Sequence, residues 1–438
     1  MQRRTPAKDM PTSLRGIANR ARQDRKARFR DLYRLLNEGN LRDCFYQLRK
    51  DAAPGVDQVT FEEYERNLAA NLVNLVERLK QKRYRAKLVR RKYIPKANGK
   101  LRPLGIPALE DKLLQMAVAQ LLTAIYEQDF LDCSWGYRPK RGPREASRVL
   151  ANRLYRGLAH WVVEADIRGF FDNISHEWMV RMLRERVQDE AFLNLICKWL
   201  KAGVLEESGK VLHPATGTPQ GGIVSPVLAN IYLHYALDLW FERVVRKECR
   251  GDVFMMRFAD DFVCAFQNQD DAKRFEKELS ERLGKFGLAV AAEKTRTLPF
   301  SRLKLEPNDA FEFLGFEFRW VKRRTGKPGV KRRTAPKKLR GSVKAFTEWI
   351  KEFRHCRITT LMKKVCSKFN GYWNYYGVRG NFESMTQFYE QCQKLLFKWL
   401  NRRSQKRSYT WDGFAAMLQA FSVPPPRIVE EPYPPSIL

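Results

Sequence analysis

Three aspartates hold most of the chemistry that this sequence can be read to perform. Asp260 and Asp261 stand side by side in Met255-Met256-Arg257-Phe258-Ala259-Asp260-Asp261-Phe262-Val263-Cys264-Ala265-Phe266, and Asp166 closes the apolar run Trp161-Val162-Val163-Glu164-Ala165. Adjacent carboxylates repel unless water or a cation lies between them. Alone, the pair reads as a solvated turn. With a third carboxylate at a strand end, the set can hold two Mg²⁺ ions, Mn²⁺ being a substitute, and run an in-line phosphoryl transfer.

Such a site needs strands to hold it. The two apolar, aromatic-rich runs around Ala259-Asp260-Asp261 predict a β-hairpin with the carboxylates at its turn. A strand ending at Asp166 is followed by helices from about Ser175 to Leu200 and another through Leu228, Ile231, Tyr235 and Leu237. After the hairpin come a helix near Ala272–Phe286, stopped by Gly287, and a strand beginning at Leu288. The order strand, helices, strand, strand, helix, strand fits a ferredoxin-like βαββαβ unit in an α+β protein. It would bring Asp166 beside the hairpin.

Bulk properties narrow the class. The 438 residues allow two or three domains, and 44% hydrophobic content suits a folded protein. A formal net charge of +33 points to a polyanionic partner, nucleic acid first. No apolar run is long enough to span a bilayer, and the start lacks the apolar segment of a secretory signal. The eight cysteines include no CxxC pair and the five histidines no HxxxH. Reduced thiols in a cytoplasmic setting (bacterial cytoplasm or nucleoid) are expected, with no membrane association.

Residues to about Arg30 read as a basic arm, either touching phosphates or merely solvated. Tyr93 to Pro107 predicts a hairpin turning at Asn98-Gly99, with Lys96 and Arg102 near its tip as a clamp for a triphosphate. Phe311-Glu312-Phe313-Leu314-Gly315-Phe316-Glu317-Phe318 predicts another hairpin. Cations then crowd from Lys322 to Arg340, including Arg332, Arg333, Lys337 and Lys338, and read as a boundary followed by an RNA-facing surface. Helical patterns resume over 343–353, 358–369 and 388–400. Among them, Gly371-Tyr372-Trp373-Asn374-Tyr375-Tyr376-Gly377 offers aromatics that either stack on RNA or pack a helical core.

Three motifs in order, Asp166-Ile167-Arg168-Gly169-Phe170-Phe171-Asp172, Thr218-Pro219-Gln220-Gly221-Gly222 and Phe258-Ala259-Asp260-Asp261, closely resemble those of the reverse transcriptase–maturase proteins encoded by group II introns. The resemblance runs from about Leu32 to about Arg403. It implies a right-hand polymerase with fingers, palm and a helical thumb or maturase domain. The domains would be 1–30, a basic arm; 31–160, N-terminal extension and fingers; 161–320, palm; 321–415, basic linker and thumb; and 416–438, a Pro-rich tail.

By the same resemblance, Asp166, Asp260 and Asp261 bind the metals, and Lys294 protonates the leaving pyrophosphate. Lys96, Arg102, Phe171, Gln220 and Gly221 receive the nucleotide, Phe171 as the steric gate against a 2′-hydroxyl. Arg332, Arg333, Lys337, Lys338, Trp373 and Tyr375 contact RNA. Partners would be an RNA template and primer, dNTPs, group II intron RNA and target DNA. Phe258 replaces the family's usual Tyr, which implies altered efficiency or fidelity rather than loss of activity. Neither paired cysteines nor an HNH-like cluster follows, so target-strand cleavage is not expected. Two rival readings remain: a domesticated relative serving defence, a CRISPR locus or repair, and a splicing cofactor that binds RNA without polymerising.

Overall fold

The computed structural model describes residues 12–95, 101–213, 215–218, 221–306, 309–403 and 408–431. Helices Thr12–Gln23, Glu38–Phe45, Phe61–Arg66 and Leu68–Lys80 form the first layer and bury Leu14, Leu41, Phe45, Phe61, Leu72 and Leu75. Thr60 and Glu63 close a reciprocal capping box at the start of the third.

The arm expected through Arg30 is docked from residue 12 onward. Leu14 and Ala21 are buried, and Arg186 donates to the carbonyls of Asp24 and Ala21, each at 3.1 Å. Phe29 bridges Val187. The dense cations hid an apolar stripe, Leu14, Ile17, Ala18 and Ala21, at helical spacing. Residues 1–11 of the arm lie outside the described residues.

Among the described residues the strands are β1 Val89–Pro95, β2 Leu101–Ile106, β3 Trp161–Asp166, β4 Val204–Leu205, β5 Val211–Leu212, β6 Val253–Phe258, β7 Asp261–Phe266, β8 Arg296–Pro299, β9 Ala310–Phe313, β10 Phe316–Lys322 and β11 Pro328–Thr334. The fingers sheet runs β2-β1-β4-β5, with β1 antiparallel to β2 and parallel to β4. The palm sheet runs β6-β7-β3-β8 with every neighbour antiparallel. That is the ferredoxin-like order expected from the sequence.

Alternation decides the two faces of the palm sheet. Val163, Ala165, Phe262, Cys264 and Phe266 face the large helical core. Val162, Met256, Val263 and Ala265 pack against Phe311, Phe316 and Phe318 of the third sheet, whose order is β11-β10-β9.

The expected strand at Leu288 is shorter and later. Val290 makes only an isolated bridge to Ile167. The chain then turns on bonds from the Lys294 and Thr295 amides to the Ala291 carbonyl, and β8 starts at Arg296. The basic run after Lys322 is no linker either, since residues 328–334 are β11, paired along its length with β10.

Helices Pro336–Phe353, Ile358–Tyr376, Phe382–Leu400 and Trp411–Ala420 form the thumb around Phe346, Ile350, Phe369, Trp373, Phe388 and Leu396. The chain after them, expected as a Pro-rich tail, is strapped back onto this bundle through residue 430. Trp373 Nε1 donates to the Pro424 carbonyl at 3.1 Å, and the amides of Val429 and Glu430 donate to the Gly377 carbonyl at 2.9 and 3.1 Å. Residues 432–438 lie outside the described residues.

Candidate active site

The register of the palm sheet assembles the carboxylates. Asp166, the last residue of β3, lies directly opposite Asp261, the first of β7. Asp260 occupies the two-residue turn between Phe258 and Asp261, which are themselves paired. Ala259 in that turn adopts φ 59°, a left-handed conformation uncommon for a residue with a side chain. Cross-strand neighbours lie roughly 4.5–5.5 Å apart at Cα, so carboxylates remote in sequence share one edge.

That edge is electrostatically crowded. Desolvation by the surrounding protein, then the charges of Asp166, Asp260 and Glu164, push the Asp261 carboxyl upward, and its exposure at the cleft moderates that rise. Desolvation, with the Asp166 charge behind it, also holds Asp260 above the usual carboxylate range, while Arg102 and Lys294 act the other way. Lys294 donates to the Asp166 carboxylate, and this bond holds its amine above the ordinary lysine range. Asp166, Asp261, Arg102 and Lys294 line one open cleft of about 900 Å³, together with Lys337, Lys338 and Tyr375.

The donor set suits a hard divalent cation. Among the described residues no three His, Cys, Asp or Glu side chains stand so that they could hold a metal ion by themselves. Mg²⁺ does not need three, because it keeps waters and phosphate oxygens and takes one or two carboxylates. The Lys294 ammonium on Asp166 shows that this edge already attracts positive charge.

The expected gate and loop also meet. Phe171, 7% exposed, sits in the short helix Phe170–Asn173, and its carbonyl accepts from the Thr218 amide at 2.8 Å. Thr216 Oγ1 donates to the Asp172 carbonyl at 3.0 Å. Gly221 has φ +116°, and a Cβ there would lie 2.4 Å from the Gly105 carbonyl oxygen on β2, so the loop needs glycine to reach the fingers. Lys96 and Gln220 lie outside the described residues.

The expected RNA contacts divide. Lys337 and Lys338 are exposed at the mouth of the cleft. Arg333 is half-buried and grips Glu317 at 2.8 and 3.1 Å. Tyr375 donates to the Leu314 carbonyl at 3.0 Å and stacks on Phe316.

Two are corrected. Arg332 is 3% exposed and donates from Nη2 to both carboxylate oxygens of Glu430, and Trp373 is fully buried in the thumb core. Neither side chain can reach an RNA in this fold. Strand parity turned Arg332 inward, and helical spacing did the same for Trp373.

Sequence reasoning missed other residues. Gln115, buried in the helix Leu109–Tyr126, accepts from the Ile223 amide at 2.9 Å and anchors the end of the loop. Glu164 pairs with Arg296 and accepts from the Glu312 amide at 2.7 Å, tying the palm to β9. Arg257 lies fully buried behind the aspartate turn. A lone polar residue in an otherwise apolar run was the available signal for Gln115 and Arg257.

Fold and site define a nucleic-acid polymerase palm, and comparison with known proteins makes the class specific. Residues 94–318 match the reverse transcriptase (RNA-dependent DNA polymerase) family, and the chain belongs to that family. It is 33% identical over 292 residues to protein YkfC of Escherichia coli, covering 60% of this chain and 74% of that protein. It is 46% identical over 161 residues to the group II intron-encoded protein LtrA of Lactococcus lactis, covering 36% of this chain and only 26% of LtrA. A telomerase structure from Candida albicans is matched at 14% identity and TM-score 0.43, over 78% of this chain and 64% of that one.

Proposed function

We propose that this chain copies RNA into DNA by metal-dependent nucleotidyl transfer. The observation that supports the reading is the carboxylate edge: Asp166 and Asp261 line a cleft with Arg102 and Lys294, and Asp260, in the adjoining turn, feels the charges of Asp166, Arg102 and Lys294. In the reaction the primer 3′-oxygen bonds to the α-phosphorus of a dNTP. The α–β phosphoanhydride breaks, pyrophosphate leaves with the bonding electron pair, and the 3′-hydroxyl gives its proton to solvent water.

Asp166, Asp260 and Asp261 would hold two Mg²⁺ ions. When bound, these supply charge neutralisation for the triphosphate and acidify the attacking hydroxyl. Arg102 meets the phosphates with a guanidinium. Lys294, exposed beside Asp166, is placed to give the leaving group a proton. Phe171 fills the space a ribose 2′-hydroxyl would need.

Exposed Lys337 and Lys338, at the cleft mouth of a chain with net charge +33, favour a second role. This is holding a structured RNA, a group II intron RNA first, so as to assist splicing and mobility; the relative LtrA is itself group II intron-encoded. Asp260→Asn tests the first reading by primer extension on an RNA template with Mg²⁺ and dNTPs. Extension should fall at least about a thousandfold, since a carboxylate at the metal edge supports several kcal/mol of transition-state stabilisation. Near wild-type extension by the variant would remove the hairpin as the reacting centre. A wild-type chain that binds RNA without extending a primer would leave only the splicing role.

A further inference from the structure

Behind the aspartate turn lies a guanidinium with every donor used. Arg257 and Asp238 are both 0% exposed. Arg257 Nε and Nη2 donate to the Asp238 carboxylate at 2.7 and 2.5 Å. Nη2 also donates to Ser134 Oγ at 2.8 Å. Nη1 donates to Asn230 Oδ1 at 3.1 Å and to the carbonyl of Ala259 at 2.9 Å. A guanidinium has five N–H donors in a fixed planar fork, and all five are engaged. Ala259 is the left-handed residue immediately before Asp260.

The acceptors come from separate elements. Asn230 stands on the helix Ser225–Leu233 and Asp238 on the π-helical turn His234–Asp238 that extends it. Ser134 lies in the segment that brackets the strand, where the Arg257 amide donates to the Cys133 carbonyl and the Trp135 amide to the Arg257 carbonyl, each at 2.8 Å. Asn230 Nδ2 in turn donates to the Gly136 carbonyl at 2.8 Å. A Cβ built on Gly136 would lie 2.3 Å from the Ala259 amide nitrogen and 2.9 Å from the Phe258 carbonyl carbon. The turn is therefore pulled from one side by a charged donor and met on the other by bare backbone.

We propose that Arg257 is a positioning residue for the reaction: with Gly136 as its backstop, it fixes the Ala259 carbonyl and so sets where the Asp260 carboxylate stands. The inference rests on the polymerase reading above. A buried Arg–Asp pair could serve folding alone, but a folding pair would not need its fifth donor on the one strained residue of the aspartate turn. Arg also cannot be replaced by Lys here, because an ammonium has three donors and no planar fork.

The test uses the full chain with three variants: Arg257→Lys, which keeps the charge against Asp238; Arg257→Met/Asp238→Leu, which removes the pair at similar volume; and Gly136→Ala, which disturbs the turn with no loss of charge. Each is measured for melting temperature, for kcat and KM of dNTP incorporation, and for Mn²⁺ affinity by electron paramagnetic resonance titration of the protein alone. The expected result is a kcat lower by at least about tenfold, the rate equivalent of one lost charge-assisted hydrogen bond. KM for dNTP should stay within about threefold and Mn²⁺ affinity should weaken. Gly136→Ala, whose Cβ meets backbone at 2.3 Å, should show this together with a lowered melting temperature, and its kcat is compared at a temperature where the variant is fully folded.

If Gly136→Ala and whichever Arg257 variants fold keep wild-type kcat and Mn²⁺ affinity, the network serves stability only and the inference is overturned. A wild-type chain that extends no primer, and whose Mn²⁺ affinity Asp260→Asn does not alter, overturns the polymerase reading itself. The two failures are thereby distinguished.

Discussion

Replacing Glu430 by alanine should destabilise the protein by about 3–5 kcal/mol, the usual cost of leaving one member of a buried ion pair uncompensated. Arg332 and Glu430 are each 3% exposed, and the carboxylate accepts from Arg332 at 2.9 and 2.7 Å and from the Arg379 amide at 3.0 Å. Without it, Arg332 keeps, among the described residues, only Ser147 Oγ, at 3.0 Å, and its charge stays inside the protein.

The same change frees the strap, because Glu430 is its last buried anchor among the described residues, so tryptic cleavage after Arg427 should accelerate. Urea unfolding gives the free energy and mass spectrometry of a timed digest gives the cleavage rate. Glu383→Ala is the control. Its pair with Lys331 spans 3.5 Å with side chains 33% and 73% exposed, which predicts less than about 1 kcal/mol. Arg332→Met/Glu430→Leu should recover most of the loss. A Glu430→Ala cost below about 1 kcal/mol, or a double variant no better than the single, would refute the assignment of this pair as a buried clasp.

Phe171→Ala should lower the ratio of dNTP to rNTP kcat/KM by about tenfold or more; an unchanged ratio with reduced stability would mean that the ring only packs the core. Lys337→Ala/Lys338→Ala should weaken structured-RNA binding and flatten its salt dependence by about two phosphate contacts' worth; an unaltered salt slope would remove this edge as an RNA contact. Asp111 supplies a pH test. Burial raises its carboxyl to about 6 against bonds from Tyr84 and the Lys87 amide. A folded-state value above the unfolded one makes the folded state the better proton binder, so stability is greatest below about pH 4 and falls as pH rises through about 6. Asp111→Asn should remove that slope and gain about 3 kcal/mol on the wild type between pH 4 and pH 8 in urea unfolding; parallel curves would show that folding does not raise the Asp111 carboxyl above its unfolded value.

The aspartates were legible because their signal is local: a carboxylate at the end of an alternating apolar run can point only a few ways once the strand is recognised. The palm order followed from the succession of elements, as the Asp166–Asp261 register bears out. Arg332 and Trp373 were misread because composition outvoted period. A run of cations looks solvated, yet β11 turns Arg332 and Thr334 inward where Glu430, almost a hundred residues later, supplies the opposite charge. The docking of residues 12–30 was obscured in the same way. Gln115 and Arg257 depend on partners that only the tertiary structure brings near, so their single-residue signal in an apolar run gave no hint of the bond each would make.

The position of β3 in the palm sheet governs what happens while the chain is being made. β3 sits between β7 and β8, both of which follow it, and Asp261 comes 95 residues after Asp166. At a synthesis rate of about 5–20 residues per second, Trp161, Val162 and Val163 wait roughly 5–20 seconds without either neighbour. During that interval β3 is an apolar strand with two open edges, the kind of segment that pairs with the wrong chain. The same delay means that a truncated product ending before β7 carries Asp166 with no opposing carboxylate, so nascent and broken chains are silent until at least about three-fifths of the sequence has been made.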